Sequence, residues 1–293
     1  MKSIRTLLLF IVPATVFISC QKSYMPDPVV TGSTGGTGSS SGTVLSTYQS
    51  KTVGSSEGST STYEYDGSSR VIKITSVDVD SSNNSTTTVY RYVRDASGKI
   101  TSVVTNYFAA TSPGSGFPDS VYVNVNYPSG SSAYNFTSYA FSVGSVPVKD
   151  SISYIYTGGI ITDVYEYQAI SATTFSAASH VQYVYSNGNI VTEKIYTPAS
   201  TGGALTLAGM YALDYDSKTS PLITGNESFL PGQNVGYGCK NNLAKFVLTD
   251  YTTNSVLATV NYTYQYNSSG LPVSGTAVQT PGNKTVTLTL AYK

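Results

Sequence analysis

Charged side chains are scarce in this sequence, and tryptophan is missing altogether. Only 11% of the 293 residues are Asp, Glu, Lys or Arg, against roughly 25% in an average globular protein. The 16 basic and 16 acidic side chains cancel, and no basic cluster of the kind that phosphate binding requires is visible. The composition therefore excludes nucleic acid as an expected partner.

Cysteine and histidine are also nearly absent, which limits the chemistry available to the chain. The cysteines are Cys20 and Cys239, and His180 is the one histidine. A zinc site needs three or four N or S ligands, so we predict no metal site and no cofactor. A nucleophilic pair of Cys239 and His180 is conceivable, but an isolated thiol and a solvated histidine is the simpler interpretation. We predict that the protein is not an enzyme.

Residues 1–19 have the layout of a secretory signal peptide, with a positive start followed by the short apolar stretch TLLLFIVPATVFIS. The stretch ends in FISC, which resembles the lipobox of bacterial lipoproteins. That resemblance implies cleavage before Cys20, a diacylglycerol on its thiol, and a membrane partner held through this lipid anchor. The alternative is an ordinary secretory peptide with an incidental cysteine.

Residues 20–43 are rich in Gly, Ser and Thr and carry no apolar period, which predicts a flexible tether. The tether separates the signal peptide from an all-β domain that we place at residues 44–293. The resemblance to lipoproteins implies an outer-membrane location. It leaves open whether the protein faces the periplasm or the cell surface.

Beyond residue 44 the dominant pattern is alternation of apolar and polar side chains, which is typical of half-buried antiparallel strands. Residues 285–290, TVTLTL, place Val and Leu on one face and Thr on the other. Short breaks rich in Gly, Asn, Asp and Ser separate such runs, and these residues favour tight turns. The sequence predicts an antiparallel meander of about sixteen strands.

A tyrosine motif recurs within this pattern. Tyr-x-Tyr, or a tyrosine in the same place, precedes a polar turn and another strand, at intervals of about 29 residues. The last tyrosines of these units are Tyr65, Tyr92, Tyr127, Tyr156, Tyr185, Tyr215 and Tyr266. We interpret each unit as one β-hairpin that stacks on its neighbours, with both rings on the same face just before the turn.

At these motifs the chain resembles known proteins. YEYDGSSRVIKI and YQYNSSGLPVSG resemble the Tyr-Asp hairpin repeats of Rhs-type proteins. Residues 45–293 resemble a Bacteroidota lipoprotein family of unknown function, described as having a porin-like all-β fold. The resemblance implies a curved antiparallel sheet that can roll into a barrel, and it supplies no catalytic residues.

One interval breaks the period. Residues 216–242 are long, rich in Pro and Gly, and contain the second cysteine. A long irregular connection in a compact β domain is often a lid, a plug or a binding loop. The candidate binding residues are Glu227, Phe229, Tyr237 and Cys239, and packing alone is the alternative.

Two short motifs, DSV around Ser120 and DSI around Ser151, resemble the Asp-Ser-apolar acceptor of Bacteroidota O-glycosylation. The resemblance implies glycan attachment at these two serines if they are exposed on the exported protein.

The leading interpretation is an envelope-anchored lipoprotein with a structural or binding role, whose partner is a glycan or another envelope protein. The alternative function is a glycan-binding or small-ligand-binding protein that uses Tyr faces, which requires exposed rather than buried rings. A hydrolase would need paired acids in a cleft. A membrane-spanning pore would need a continuous apolar band facing lipid.

Overall fold

The computed structural model describes residues 44–109, 120–143, 146–171, 174–221, 225–232 and 239–293. Strands β1 to β16 follow one another along the chain, and one short 3-10 helix, Gly225–Phe229, lies between β12 and β13. The strands are Leu45–Thr52, Gly58–Tyr65, Val71–Val79, Ser85–Arg94, Ile100–Ala109, Ser120–Asn126, Phe136–Val143, Val146–Thr157, Ile160–Ala169, Phe175–Ser186, Asn189–Pro198, Leu205–Thr219, Asn241–Asp250, Ser255–Tyr266, Pro272–Thr280 and Lys284–Tyr292.

Every strand pairs antiparallel with the next, and β16 pairs with β1 to close the barrel. Closure leaves no unpaired strand edge, which removes the usual template for aggregation. The predicted all-β meander of about sixteen strands is confirmed. The sequence left open whether the sheet closes into a barrel. The structure shows that it does, since Tyr48 on β1 pairs with Leu290 on β16.

The two ends of the barrel differ. At the upper end lie the loops that join each odd strand to the next even strand, and at the lower end lie the turns between successive hairpins. The tight turns predicted from the Gly, Asn, Asp and Ser breaks are present, and several lower turns are capped by a side chain. Asp66, Asp95 and Asn267 each accept two backbone N–H bonds through Oδ1, a device that stabilises tight turns.

Apolar side chains fill the interior rather than coat the outside. Ile74, Val103, Phe246, Leu248 and Val260 are at most 1% exposed, and they belong to one continuous core. Burial of this apolar surface is the main stabilising contribution to the fold.

The outer wall carries rows of polar side chains among single exposed apolar ones such as Val93, Ile155 and Val278. A cross-strand row on β14, β15, β16 and β1 consists of Thr263, Thr276, Thr287 and Lys51. Along β16, exposed Thr287 and Thr289 alternate with buried leucines. Rows of this kind interrupt the apolar surface, and a lipid-facing wall would need a continuous one.

Inner side chains become more polar toward the upper end. On β1 to β5, aromatic or aliphatic side chains near the lower end give way to hydroxyls. Ser61 and Ser76, for example, share a hydrogen bond of 2.8 Å between their Oγ atoms. On β1 to β5 the interior is therefore apolar toward the lower end and polar toward the upper end, whereas Leu248 on β13 and Val286 on β16 keep it apolar near the upper end.

The repeated tyrosines join neighbouring strands at the lower end. In seven of the eight hairpins, a tyrosine hydroxyl on the even strand or just after it donates to a backbone carbonyl at the start of the partner strand, at 2.6–3.1 Å. The donor and acceptor pairs are Tyr65–Leu45, Tyr127–Ile100, Tyr156–Tyr134, Tyr185–Ile161, Tyr215–Ile190, Tyr264–Leu243 and Tyr292–Pro272. A structural role thus accounts for the period of the motif.

The hairpin of β3 and β4 is the exception. There Arg94 Nη2 donates to the carbonyl of Val71 at 3.2 Å. The Tyr92 hydroxyl instead donates to the carbonyl of Pro231 at 2.9 Å. This hairpin therefore lacks the tyrosine-to-carbonyl hydrogen bond between its two strands. Its tyrosine contacts the irregular segment before β13 instead.

Residues 225–232, which we call the plug, cross the interior at the lower end. The plug enters between β12 and β13 and contacts β4, eight strands away in a ring of sixteen and so on the opposite wall. Ser228 and Leu230 are fully buried, and Phe229 lies 5.2 Å from Tyr183 between ring centroids. The plug fills the lumen where the apolar core ends.

Candidate functional site

Carboxyl groups gather inside the upper half of the barrel. Asp150 on β8 and Glu166 on β9 are 5% and 2% exposed there, while a third buried carboxyl, Glu193 on β11, lies lower in the barrel near Tyr183 and Tyr215. Ile152 pairs with Glu166, and Asp150 pairs with Gln168. Asp150 and Glu166 are therefore diagonal neighbours on one face, with backbones roughly 7–8 Å apart.

Hydroxyl groups bind these carboxyls. The Tyr139 hydroxyl donates to Asp150 Oδ2 at 2.8 Å, and Ser179 Oγ donates to Glu166 Oε2 at 3.0 Å. The other oxygen of Glu166, Oε1, is buried and makes no hydrogen bond. One strong acceptor is thus left unsatisfied where an unpaired polar atom is costly.

A second unpartnered group lies nearby on β5. The Tyr107 hydroxyl is buried and also lacks a hydrogen-bond partner. Tyr107, Asp150 and Glu166 all interact electrostatically with Tyr139, which places the four side chains together. With Ser179, they form what we call the interior acid cluster.

The electrostatics of the cluster favour a bound proton or a cation. The pKa of Glu166 is raised to about 7, chiefly by burial and in part by the nearby Asp150 carboxylate, while the Ser179 hydroxyl and the Gln168 side chain oppose the shift. Burial likewise raises the pKa of Asp150, against the hydrogen bond from Tyr139. At neutral pH the Glu166 carboxyl is therefore close to half ionised.

No cation of the protein compensates this charge within the described part of the chain. The buried residues there include no Lys or Arg. The Arg94 side chain, 7% exposed, is engaged at the lower end by a two-point pair with Glu227, at 2.8 and 2.9 Å. The interior of the upper half therefore carries uncompensated acidity.

One Tyr-x-Tyr motif kept this cluster from being predicted from the sequence. If both tyrosines of VYEYQ faced the core, as in the other motifs, Glu166 between them would face solvent. In the structure Tyr165 and Tyr167 face outward and Glu166 faces inward. The motif precedes an upper loop rather than a lower turn, and it falls outside the period of about 29 residues. This departure from the 29-residue spacing was the sign in the sequence that these two tyrosines differ from the others.

The predicted binding residues of the long interval lie in or beside the plug. Glu227 forms the ion pair with Arg94, and Phe229 is 4% exposed and packs in the core. Tyr237 lies outside the described residues. The prediction that this segment binds a ligand stays a prediction, but two of its side chains are committed to sealing the barrel.

Cys239 and His180 do not form a pair. Cys239 is buried, and its Sγ lies 3.2 Å from the Tyr215 hydroxyl. Burial raises the pKa of the thiol to about 11, so it stays protonated at neutral pH. His180 stands on the outer wall, with its Nε2 2.8 Å from Asp163 Oδ1.

The predicted modification sites have different surroundings. Ser120 opens β6, and its Oγ accepts a hydrogen bond from Asn106 Nδ2. Ser151 lies in the middle of β8 and is 9% exposed. Cys20, the predicted lipidation site, lies outside the described residues, as do the signal peptide and the tether.

A row of rings crosses the outer wall on β9, β10 and β11. Tyr165, His180 and Tyr196 are cross-strand neighbours, with centroids 4.0 and 4.9 Å apart and planes within 17° of parallel. Tyr167 extends the row at 6.4 Å from Tyr165. Because the rings stack on one another, their inner faces are covered and their edges form most of the exposed surface.

Two other features are not found in the protein as far as it is described. Across the described ranges, no group of three or more His, Cys, Asp or Glu side chains is placed to hold a metal ion. The same part of the chain contains no helix long and apolar enough to cross a membrane.

The fold defines a class: a closed, sixteen-stranded antiparallel meander barrel with an internal plug. Two solved structures share the barrel fold. A porin-like protein from Bacteroides vulgatus is 12% identical, with a TM-score of 0.52 over 86% of this chain and 99% of that one. A porin-like protein from Bacteroides uniformis is 12% identical, with a TM-score of 0.50 over 85% and 98%. No family model matches the chain, and no curated protein does.

Proposed function

We propose that this protein is a non-enzymatic outer-membrane lipoprotein whose barrel stands in water and serves as a binding module. The observation that carries the proposal is the polarity of the barrel. Apolar side chains fill the inside, while polar side chains such as Thr276 and Thr287 form rows on the outer wall between single exposed Val, Ile and Tyr side chains. A wall of this composition suits water rather than hydrocarbon.

Such a barrel needs another means of attachment to a membrane. The lipobox-like FISC sequence and the Gly/Ser/Thr-rich residues 20–43 supply one, as a lipid on Cys20 and a tether. Acyl chains hold a protein by burial of their CH₂ groups, at about 0.8 kcal/mol each. The polar outer wall and the plug both argue against a pore through the bilayer.

Acyl labelling of the full chain tests the anchor. A radiolabelled fatty acid should be incorporated into the unchanged protein and into Cys239→Ala, but not into Cys20→Ala. The last variant should also move from the membrane fraction to the soluble fraction. Label on Cys20→Ala, or none on the unchanged protein, would refute the lipid anchor.

Glycan binding on the outer wall is a second candidate, and the stacked row on β9 to β11 is the observation that favours it. Free aromatic faces bind sugars by stacking, but here only the two ends of the row can offer one. Most other tyrosines pack in or against the core or donate to backbone carbonyls, so the row, rather than the repeated motif, is the surface to test.

A glycan array probed with the full chain tests this candidate. We expect Tyr196→Ala, at one end of the row, to abolish any signal that the unchanged protein gives. The matched control is Tyr122→Ala, since Tyr122 is 60% exposed on the outer face of β6. Equal loss in both variants, or no signal at all, would eliminate the row as a glycan site.

A further inference from the structure

We infer that the interior acid cluster is a binding site for the protonated amine of a small molecule. The inference deepens the proposed binding role and does not depend on the lipid anchor. Its basis is the placement of the buried Glu166 and the half-buried Tyr107, each of which has a buried polar atom without a hydrogen-bond partner and interacts with Tyr139.

The charge of the cluster favours a cationic ligand. Asp150 and Glu166 are nearly fully buried on adjacent strands, and no Lys or Arg accompanies them among the buried residues of the described chain. A buried carboxylate is strongly unfavourable unless a cation or a proton compensates it. A cationic ligand therefore gains more here than a neutral one of the same shape.

The hydrogen-bond acceptors of the cluster favour an ammonium group. An ammonium group has three N–H donors and no acceptor. The cluster offers acceptors in Glu166 Oε1, the Tyr107 oxygen and the Asp150 carboxylate, which already accepts from Tyr139. An ammonium with three donors thus matches the set of acceptors that the site presents.

A metal cation matches the site less well. Calcium takes six to eight oxygen ligands, several of them carboxylates. In the described ranges no third acidic, Cys or His side chain joins Asp150 and Glu166 in a metal-holding group. An ammonium needs only three acceptors, so it is the cation that this set of side chains can satisfy.

Access is from the upper end. Glu166 lies three residues before Ala169, the last residue of β9, and Tyr107 lies two residues before the end of β5. At about 3.3 Å per residue, both side chains start within about 10 Å of the upper rim. The plug seals the opposite end, so a ligand enters and leaves on the side of the hairpin loops.

Calorimetric titration of the full-length protein tests the inference. The probes are putrescine and its uncharged analogue 1,4-butanediol, and, as a second source of the same group, glucosamine and N-acetylglucosamine. We expect at least one amine to bind and its neutral analogue to bind at least tenfold more weakly. The pair that responds distinguishes a polyamine from an amino sugar.

Glu166→Gln keeps the shape and removes the charge, so it should weaken amine binding at least tenfold. Glu64→Gln is the matched control, because Glu64 pairs with Lys73 on the outer wall. Its affinity should equal that of the unchanged protein. Circular dichroism shows that each variant is folded.

The pH dependence adds an independent readout. The groups that interact with Glu166 are Asp150 on β8, Ser179 on β10 and Gln168 on its own strand, and Tyr139 on β7 interacts with both acids. Putrescine should bind several-fold more tightly at pH 8 than at pH 6, because the carboxylate is then ionised. Absence of amine binding by the folded protein, or equal binding by Glu166→Gln, would overturn the inference, whatever the acyl-labelling result.

Discussion

At the scale of single residues, the packing of the plug depends on a position that only glycine can occupy. Gly232, at the end of the plug, has a φ of +80°, and a Cβ there would lie 2.2 Å from Cγ of Tyr90. Only glycine adopts that backbone without strain and leaves room for the ring. Because Gly232 has no side chain, the plug can pack directly against Tyr90 on β4.

Gly232→Ala should destabilise the protein by about 3 kcal/mol, because it combines overpacking with backbone strain. Gly54→Ala is the control, since Gly54 has a φ of +77° and a methyl group there would meet nothing within 4 Å. It should cost only about 1 kcal/mol. Urea unfolding of both variants measures the difference, and equal losses would show that the plug does not press on Tyr90.

Glu166 links stability to pH. Its folded-state pKa is raised to about 7 by burial and by Asp150, whereas the unfolded chain ionises near the usual value of about 4.3. Between these values the folded state binds more protons than the unfolded state, so the free energy of unfolding falls as pH rises.

We expect the protein to lose roughly 2–4 kcal/mol of stability between about pH 5 and pH 8, with Asp150 acting in the same direction. Glu166→Gln should remove most of this dependence, since the amide does not titrate. Denaturant midpoints measured across that range provide the check. A midpoint that rises with pH in the unchanged protein would contradict the assignment.

At the scale of elements, each hairpin of the barrel but that of β3 and β4 is held at its lower end by the same contact. The tyrosine hydroxyl donates to the preceding strand, or to the residues just before it, whereas a β-bulge at Tyr65, Tyr156, Tyr185 and Tyr215 disturbs the ladder with the following strand. A bulge leaves one residue unpaired. The phenol hydrogen bond adds a link between strands at that point.

Tyr185→Phe removes one of these hydrogen bonds, 2.8 Å to the carbonyl of Ile161, and keeps the ring. It should cost about 1 kcal/mol. A second change on a distant hairpin, Tyr65→Phe, should add its own cost independently. Tyr122→Phe, on the exposed outer wall, should leave the unfolding midpoint unchanged. Equal midpoints for Tyr185→Phe and Tyr122→Phe would mean that the contact does not contribute.

At the scale of the whole molecule, the distribution of polarity is the reverse of that expected for a lipid-embedded barrel. The interior holds the core, the plug and the acid cluster, whereas rows of polar side chains such as Thr263, Thr276 and Thr287 divide the apolar side chains of the outer wall. Closure between β1 and β16 removes the last sheet edge. This distribution is what the proposed water-exposed barrel requires.

The chain from residue 20 onward, with Cys20→Ala, should therefore stay monomeric without detergent, with a circular dichroism spectrum that does not change when micelles are added. Size-exclusion chromatography with and without detergent makes the comparison. A chain that precipitates unless detergent is present would contradict a barrel that stands in water.

The sequence by itself determined the strands, their turns and their order. Alternation, the capping residues of the lower turns and the spacing of the tyrosines are local features, and pairing of consecutive strands is decided by short connections. The tyrosine period even marked the ends of the even strands, because the hydroxyl bonds are made within one hairpin.

Only the tertiary structure decided closure, the plug and the acid cluster. Each depends on residues far apart in the chain: Leu45 pairs with Tyr292, and Arg94 binds Glu227. The side of the sheet that faces inward at Glu166 depends on the register of β9 within the closed ring, and a change of one residue would exchange the two faces. The physical reason is that burial belongs to the assembled barrel and not to any single strand.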